Sequence, residues 1–355
     1  MAVSADQVTF AWVGASESGV HQDIVAIRGG QITPAVTLPL PPTFPRDSQL
    51  IPAGGEYNYH LIWLDVDGQG TAQVYTAVID RTLGVFRGVL PVSERGARCF
   101  DTFANPDNSL WVVWQSHTDD ALHTAYIDPS GRVLRTRPIG AAQGCPSTAS
   151  TSEARYLAWP QQGQIYIAAF SGSGNMQPPQ AVVASPSLGD ADRLRGVSVA
   201  GSADRLYVFW NITRANNVDE SWFASGTLLG TWEPPQRLVL SSDEAAPYAT
   251  TYNTGPAYAA QQRWEGQQVA WADPLRIASD VLPVAAEIDG NKIGVLYFEA
   301  GRVAGYQPVA PTGSLLGTPR LASDQDRFLY LIWSDPQETG AAHFNVSATK
   351  TLLED

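Results

Sequence analysis

The pattern that most constrains this chain is a short apolar run that ends in Trp and returns at near-constant spacing. It reads VTFAW at Trp12, YHLIW at Trp63, LWVVW at Trp114, RYLAW at Trp159, LYVFW at Trp210 and FLYLIW at Trp333. The first four steps are 51, 51, 45 and 51 residues, and the long gap before Trp333 holds two degenerate copies, one through Gln261 in PAYAAQQ and one ending at Phe298 in IGVLYF. A second run follows each of these with a small residue near its middle, at Ala26, Ala77, Ala125, Ala168, Ala224, Ala270 and Ala304, with Val346 in the last. A third segment precedes each Trp run and a fourth follows each Ala run, so four short strands recur in eight units.

Strands rich in Val, Ile, Leu, Tyr and Trp, separated by turns such as DPSG, GSG, DG and NPDN, form antiparallel meanders. A four-stranded meander of about 45 residues cannot bury both its faces alone, so its copies must stack. Stacked radially they make a β-propeller. The expected fold is therefore all-β, one propeller domain over residues 1–355 with four-stranded antiparallel blades, eight by this count and seven as the alternative. The composition agrees, because 31 Gly and 25 Pro in 355 residues break long helices and 35 aromatic side chains provide core bulk. The repeated Trp is expected to wedge between neighbouring blades.

The balance of 22 basic against 35 acidic residues leaves a net charge of −13 and argues against nucleic acid or an anionic membrane as partner. No run approaches the roughly 18 apolar residues of a membrane helix, so no membrane insertion is expected. The start, MAVSADQVTFAWVG, has neither the basic residues nor the apolar run of a secretory leader.

Residues 112–134, VVWQSHTDDALHTAYIDPSGRVL, and residues 10–32, FAWVGASESGVHQDIVAIRGGQI, resemble the Trp-containing propeller repeats of secreted bacterial proteins. That resemblance implies a fold and an extracellular or cell-surface location, and no reaction. Residues 221–238, SWFASGTLLGTWEPPQRL, are similar to the Asp-box hairpin of sialidase-like propellers, with Trp232 at the aromatic position but Gly226 and Thr227 where the box has its Asp. The box is structural in that family, so the similarity carries no catalytic residue across.

In a propeller meander, the loops entering each first strand and those joining second to third strands share one face, which is where ligands bind. Arg46, Arg98 and Arg195 open the first strands of the second, third and fifth units, where guanidinium forks could converge on one carboxylate. The competing and preferred account is salt bridges with Asp47, Asp101 and Asp192. Trp264, between Arg263 and Glu265, lies in a loop of the same face and offers a ring to stack on a sugar or anchor a partner, although packing against the next blade is the ordinary use of such a ring. Asp65 and Asp67 in LDVDGQG have a spacing that suits Ca²⁺, and a polar hairpin turn accounts for them equally well. Otherwise no cofactor is expected, since HExxH, GxSxG, P-loop and GxGxxG patterns are all missing. Cys99 and Cys145 occupy equivalent places in adjacent units. Buried thiols are the first expectation, and a disulfide would need their Cα atoms within about 7 Å.

These residues support three accounts of function. The preferred one is a non-catalytic extracellular binding propeller that presents its loop-rich face to a glycan or a protein. The alternative is a propeller glycosidase or lyase acting on acidic sugars, with arginines on the carboxylate and an Asp–Glu pair for acid and base work. The third is a scaffold subunit of a larger assembly.

Overall fold

The computed structural model describes residues 2–238 apart from short stretches, the longest being 183–187, and between 239 and 352 the backbones of the strands named below. The chain divides into two compact units, Met1–Pro146 and Ser147–Asp355. The first unit holds three sheets. One contains β1 (Ala2–Ser4), β2 (Gln7–Ser16) and β3 (Gly19–Arg28), with β4 (Gln31–Ile32) and β5 (Val36–Thr37) both paired to β3. The second runs β6 (Phe44–Pro52), β7 (Tyr59–Val66), β8 (Ala72–Ile79), β9 (Val85–Pro91), and the third β10 (Ala97–Ala104), β11 (Leu110–Ser116), β12 (Ala121–Ile127), β13 (Val133–Ala141). Each is an antiparallel meander in chain order, the blade unit of a propeller.

The second unit begins with two more four-stranded meanders. They are β14 (Ser147–Ser150), β15 (Arg155–Gln161), β16 (Gln164–Phe170), β17 (Gln180–Val182), and β18 (Arg193–Gly201), β19 (Arg205–Thr213), β20 (Asp219–Thr227), β21 (Gln236–Leu238). The next sheet departs from the pattern: β22 (Ala245–Thr250), β23 (Tyr258–Arg263) and β24 (Gln268–Val269) join β25 (Leu282–Ile288), β26 (Lys292–Glu299) and β27 (Arg302–Pro311) through a parallel pairing of β23 with β25. Thus the sixth and seventh sequence units share one sheet. The last sheet is β28 (Arg320–Ser323), β29 (Phe328–Pro336), β30 (Phe344–Leu352). Among the described residues there is no helix, and none that is long and apolar enough to cross a membrane.

The second strand of each blade reads as a continuous apolar run because it is covered on both faces. All eight residues of β7 and all seven of β11 are buried. Alternate side chains of β7 go to opposite sides. Leu61 and Trp63 pack with Ile24, Ala26 and Leu50, whereas Ile62 and Leu64 pack with Phe100, Val112 and Trp114. In the second unit Trp210 and Val208 of β19 pack with Ala158 and Ile167 of the preceding sheet. Trp63, Trp114, Trp159 and Trp210 are all at most 3% exposed, as a wedge between sheets must be.

The Ala markers follow from the same packing. Ala77, Ala125, Ala168 and Ala224 sit on third strands opposite Leu61, Val112, Leu157 and Val208, two residues inward from each Trp. The Trp itself pairs with a flat ring in successive blades: Trp63 stacks on Tyr75, Trp114 on His123 and Trp159 on Tyr166, with centroids 5.7–5.9 Å apart.

Cys99 and Cys145 form a disulfide, with Cα atoms 5.7 Å apart. This corrects the first expectation of free thiols: the two half-blade positions adjoin closely enough for the sulfurs to meet. The bond ties the first strand of the third blade to the segment that leaves that blade.

Candidate functional site

The three predicted arginines share one backbone setting. In β6 the pairing to β7 skips from Pro45 to Asp47, leaving Arg46 as the extra residue of a bulge. In β10 the pairing to β11 skips from Ala97 to Cys99, leaving Arg98. In β18 it skips from Leu194 to Val197, leaving Arg195 and Gly196. A bulge bends the strand and re-aims the extra side chain, and proteins place bulges where a side chain must leave the sheet's regular alternation. The side chains of Arg46, Arg195 and Arg263 lie outside the described residues, as does all of Trp264; Arg263 closes β23.

Arg98 is described in full. Its Nη2 donates to Nδ1 of His117 at 2.6 Å, and its Nη1 stands 3.8 Å from Oδ1 of Asp120. The guanidinium donates only, so Nδ1 of His117 is an acceptor and the neutral ring carries its proton on Nε2. Arg98 remains 44% exposed and Asp120 72%, so the ion pair is loose and the guanidinium stays accessible to an anion. Beside it, His123 lies on Trp114 and contacts Asp119 through Nε2 at 2.9 Å.

The segment that leads into β10 is stitched to both neighbouring hairpins. Ser93 receives the Val74 amide on its hydroxyl and the Gln73 amide on its carbonyl, and the Gly96 amide donates to the Ala72 carbonyl at 2.8 Å. On the other side the Gly96 carbonyl accepts the His117 amide at 2.6 Å. The β7–β8 turn, the β11–β12 turn and the entry segment therefore belong to one face, as the loop assignment required. Gly96 has φ +101°, and a Cβ there would lie 2.8 Å from the Thr118 hydroxyl, so only glycine fits.

Asp67 closes the β7–β8 turn. Its Oδ1 accepts the amides of Gln69 and Thr71, each at 2.9 Å, and its Oδ2 is 3.5 Å from Nη1 of Arg95. The Thr71 amide above all holds its pKa below the usual Asp value. Asp65 is different: it is 5% exposed, and its Oδ1 is buried without a hydrogen-bond partner. Asp65 and Asp67 line a small pocket with Thr71, Gln73, Tyr75 and Arg95. Among the described residues no group of three or more His, Cys, Asp or Glu side chains stands close enough to hold a metal.

Of the carboxylates named as partners for the arginines, the side chain of Asp47 lies outside the described residues, and Asp101 and Asp192 have other contacts. Asp101 Oδ1 accepts the Gln49 side-chain amide at 3.0 Å. Asp192 binds Arg214 at 2.8 Å, and Arg214 also meets Glu220 at 2.6 Å, so this Asp and Glu in the second unit are occupied by one guanidinium. Sequence reasoning placed Arg95, His117 and Arg214 on loops of this face but missed two pairings, His117 with Arg98 and Arg214 with Asp192. Arg98 lies on β10 and His117, 19 residues on, in the turn after β11, and no local spacing links them.

No family model matches the sequence, and no curated protein matches it. Among solved structures, the chain is similar to the polysaccharide lyase Uly1, with a TM-score of 0.61, 8% identity, and coverage of 99% of this chain and 89% of that one. It is also similar to a protein from Lactobacillus plantarum, with a TM-score of 0.55, 12% identity, and coverage of 98% and 96%. At this identity the likeness shows the fold, an all-β chain of propeller type. It also corrects the preference for a non-catalytic binding propeller. That preference rested on the lack of a recognised catalytic pattern and on the likeness to secreted repeats, and the lyase is an enzyme whose fold matches nearly the whole of this chain.

Proposed function

We propose that the chain is a propeller enzyme that cleaves an acidic polysaccharide by β-elimination. The observation that carries this is the Arg98–His117 pair, accessible on the loop face and aimed there by a bulge. The likeness of the fold to a polysaccharide lyase points the same way. A uronate carboxylate would displace His117 as the partner of Arg98, forming a two-pronged ion pair that draws charge away from the adjacent carbon. Nδ1 of His117, released from its donor, then takes the proton from C5. The C5–H electron pair forms the C4–C5 double bond as the C4–O bond breaks, and the departing oxygen takes up the proton carried by the imidazolium.

The purified chain should raise the ultraviolet absorbance of uronate polysaccharides as unsaturated ends form. Replacing Arg98 by Ala, or His117 by Ala, should lower kcat/KM at least about 100-fold. New reducing ends without that absorbance would mean hydrolysis instead. No cleavage of any uronate or sialyl polymer would overturn the proposal.

The same reading covers the rest of the molecule. The seven sheets among the described strands support the seven-blade alternative, with the sixth and seventh sequence units merged. The Cys99–Cys145 disulfide supports a working place outside the reducing cytosol. The partner is a glycan.

A further inference from the structure

The pocket between the β7–β8 hairpin and the entry to β10 has an acceptor at its floor and a cation at its rim. Asp65, on β7, is one of its lining residues, and its Oδ1 is buried and receives no hydrogen bond. Three of the other lining residues already have partners: Tyr75 donates to Oε1 of Gln73 at 2.9 Å, Gln73 donates to the Ser93 carbonyl at 2.6 Å, and Oδ1 of Asp67 holds the turn amides. An unpaired buried carboxylate oxygen is costly, and such groups in folded proteins usually mark a missing water, ion or ligand. At the rim, Arg95 has a side chain 69% exposed and holds Asp67 only at 3.5 Å, so its fork is available to a second anion.

From this arrangement we infer a second sugar subsite, in which a ring hydroxyl of an acidic sugar donates to Asp65 and the sugar's carboxylate meets Arg95. Arg95 and Arg98 lie three residues apart, on either side of Gly96, one directed to the β7–β8 hairpin and the other to the β11–β12 hairpin. Two carboxylates of one polysaccharide could thus be held on one short rigid segment. The inference rests on the proposed polysaccharide reading and adds its substrate class: a polymer with more than one acidic sugar in the stretch bound, as opposed to a single terminal one. A bare cation fits less well, because Arg95 already brings a positive charge to the mouth and Oδ1 of Asp67 is committed to the turn.

Calorimetric titration of the full chain carrying His117→Ala, which on the proposed mechanism slows turnover at least about 100-fold, would test the subsite with short polygalacturonate and hyaluronan oligomers, and with cello-oligomers as the neutral counterpart. An acidic oligomer should bind, and Arg95→Ala and Asp65→Asn should each weaken it about tenfold or more, with no such effect on the neutral oligomer. Arg95 is exposed, so its variant folds even where Asp65→Asn does not. Unchanged affinity in the Arg95→Ala variant overturns the subsite, as does calcium that raises the melting temperature of the parent but not of Asp65→Asn and is not displaced by oligomer. If cleavage occurs but neither Asp65 nor Arg95 affects binding or KM, the subsite fails and the enzymatic reading stands. If both residues govern binding and no polymer is cleaved, the subsite stands and the enzymatic reading fails.

Discussion

His60 sets how the second blade tolerates acid. It is fully buried on β7, its Nε2 lies 3.1 Å from the carbonyl of Asn108, and its Nδ1 has no partner. A carbonyl only accepts, so Nε2 carries the proton. Burial lowers the pKa from 6.5 to about 4, against the smaller opposing pulls of the Asn108 carbonyl and Asp128. The unfolded chain therefore binds a proton at a higher pH than the folded one. The stability due to a neutral His60 is complete above about pH 6.5 and is lost as pH falls toward 4, about 3 kcal/mol in all. Urea midpoints measured across that range should fall with pH, and His60→Gln should flatten the fall while lowering stability at neutral pH. At Gly96, replacement by Ala forces a strained φ and a contact with Thr118. It should displace Arg95 and Arg98 together, so kcat/KM should drop about tenfold or more, with a smaller loss of melting temperature.

Hairpin turns in the first unit use one device repeatedly. Oδ1 of Asp67, Asp80 and Asp128 each accepts the amides two and four residues on. Partial burial opposes the charge on Asp128, but the amides of Arg132 and Ser130 and the Ser130 hydroxyl win, and its pKa is lowered. Such carboxylates hold turns, as the polar-hairpin account of Asp67 expected. Another turn explains the defective box at residues 221–238. Gly226 bridges to Trp232, and a Cβ on Gly226 would lie 2.7 Å from the indole. The glycine stands where the box has its turn because the Trp ring rests on it. Gly226→Ala should push Trp232 away and cost about 1–3 kcal/mol, read as a lower urea midpoint and a changed Trp fluorescence.

At the scale of the whole molecule, the Cys99–Cys145 bond closes a loop of 46 residues through the third blade. Restricting that loop in the unfolded chain is worth about 4 kcal/mol by the chain-entropy argument. Replacing both cysteines by Ser should lower the unfolding free energy by up to that amount, and reduction of the parent should give the same shift. Because Cys99 adjoins the bulged Arg98, the double variant should also raise KM for acidic polymer more than it lowers kcat.

The sequence alone determined the strand repeat, the buried Trp and Ala positions, and the grouping of the β7–β8 and β11–β12 turns with the entry to β10. These are local periodic properties: a second strand covered on both faces must be apolar throughout, and its partner must be small where the sheets approach. It also singled out Arg98 and the aspartates at 65 and 67. What it could not reach depends on contacts between segments far apart in the chain. The disulfide, the Arg98–His117 pair and the unpaired oxygen of Asp65 each depend on how adjoining strands, blades or hairpins meet. Pairing of β23 with β25 likewise merged two repeat units, because strand order is decided by which edges find each other in space. The bulges at Arg46, Arg98 and Arg195 belong to the same class, since a skipped residue exists only relative to the strand beside it.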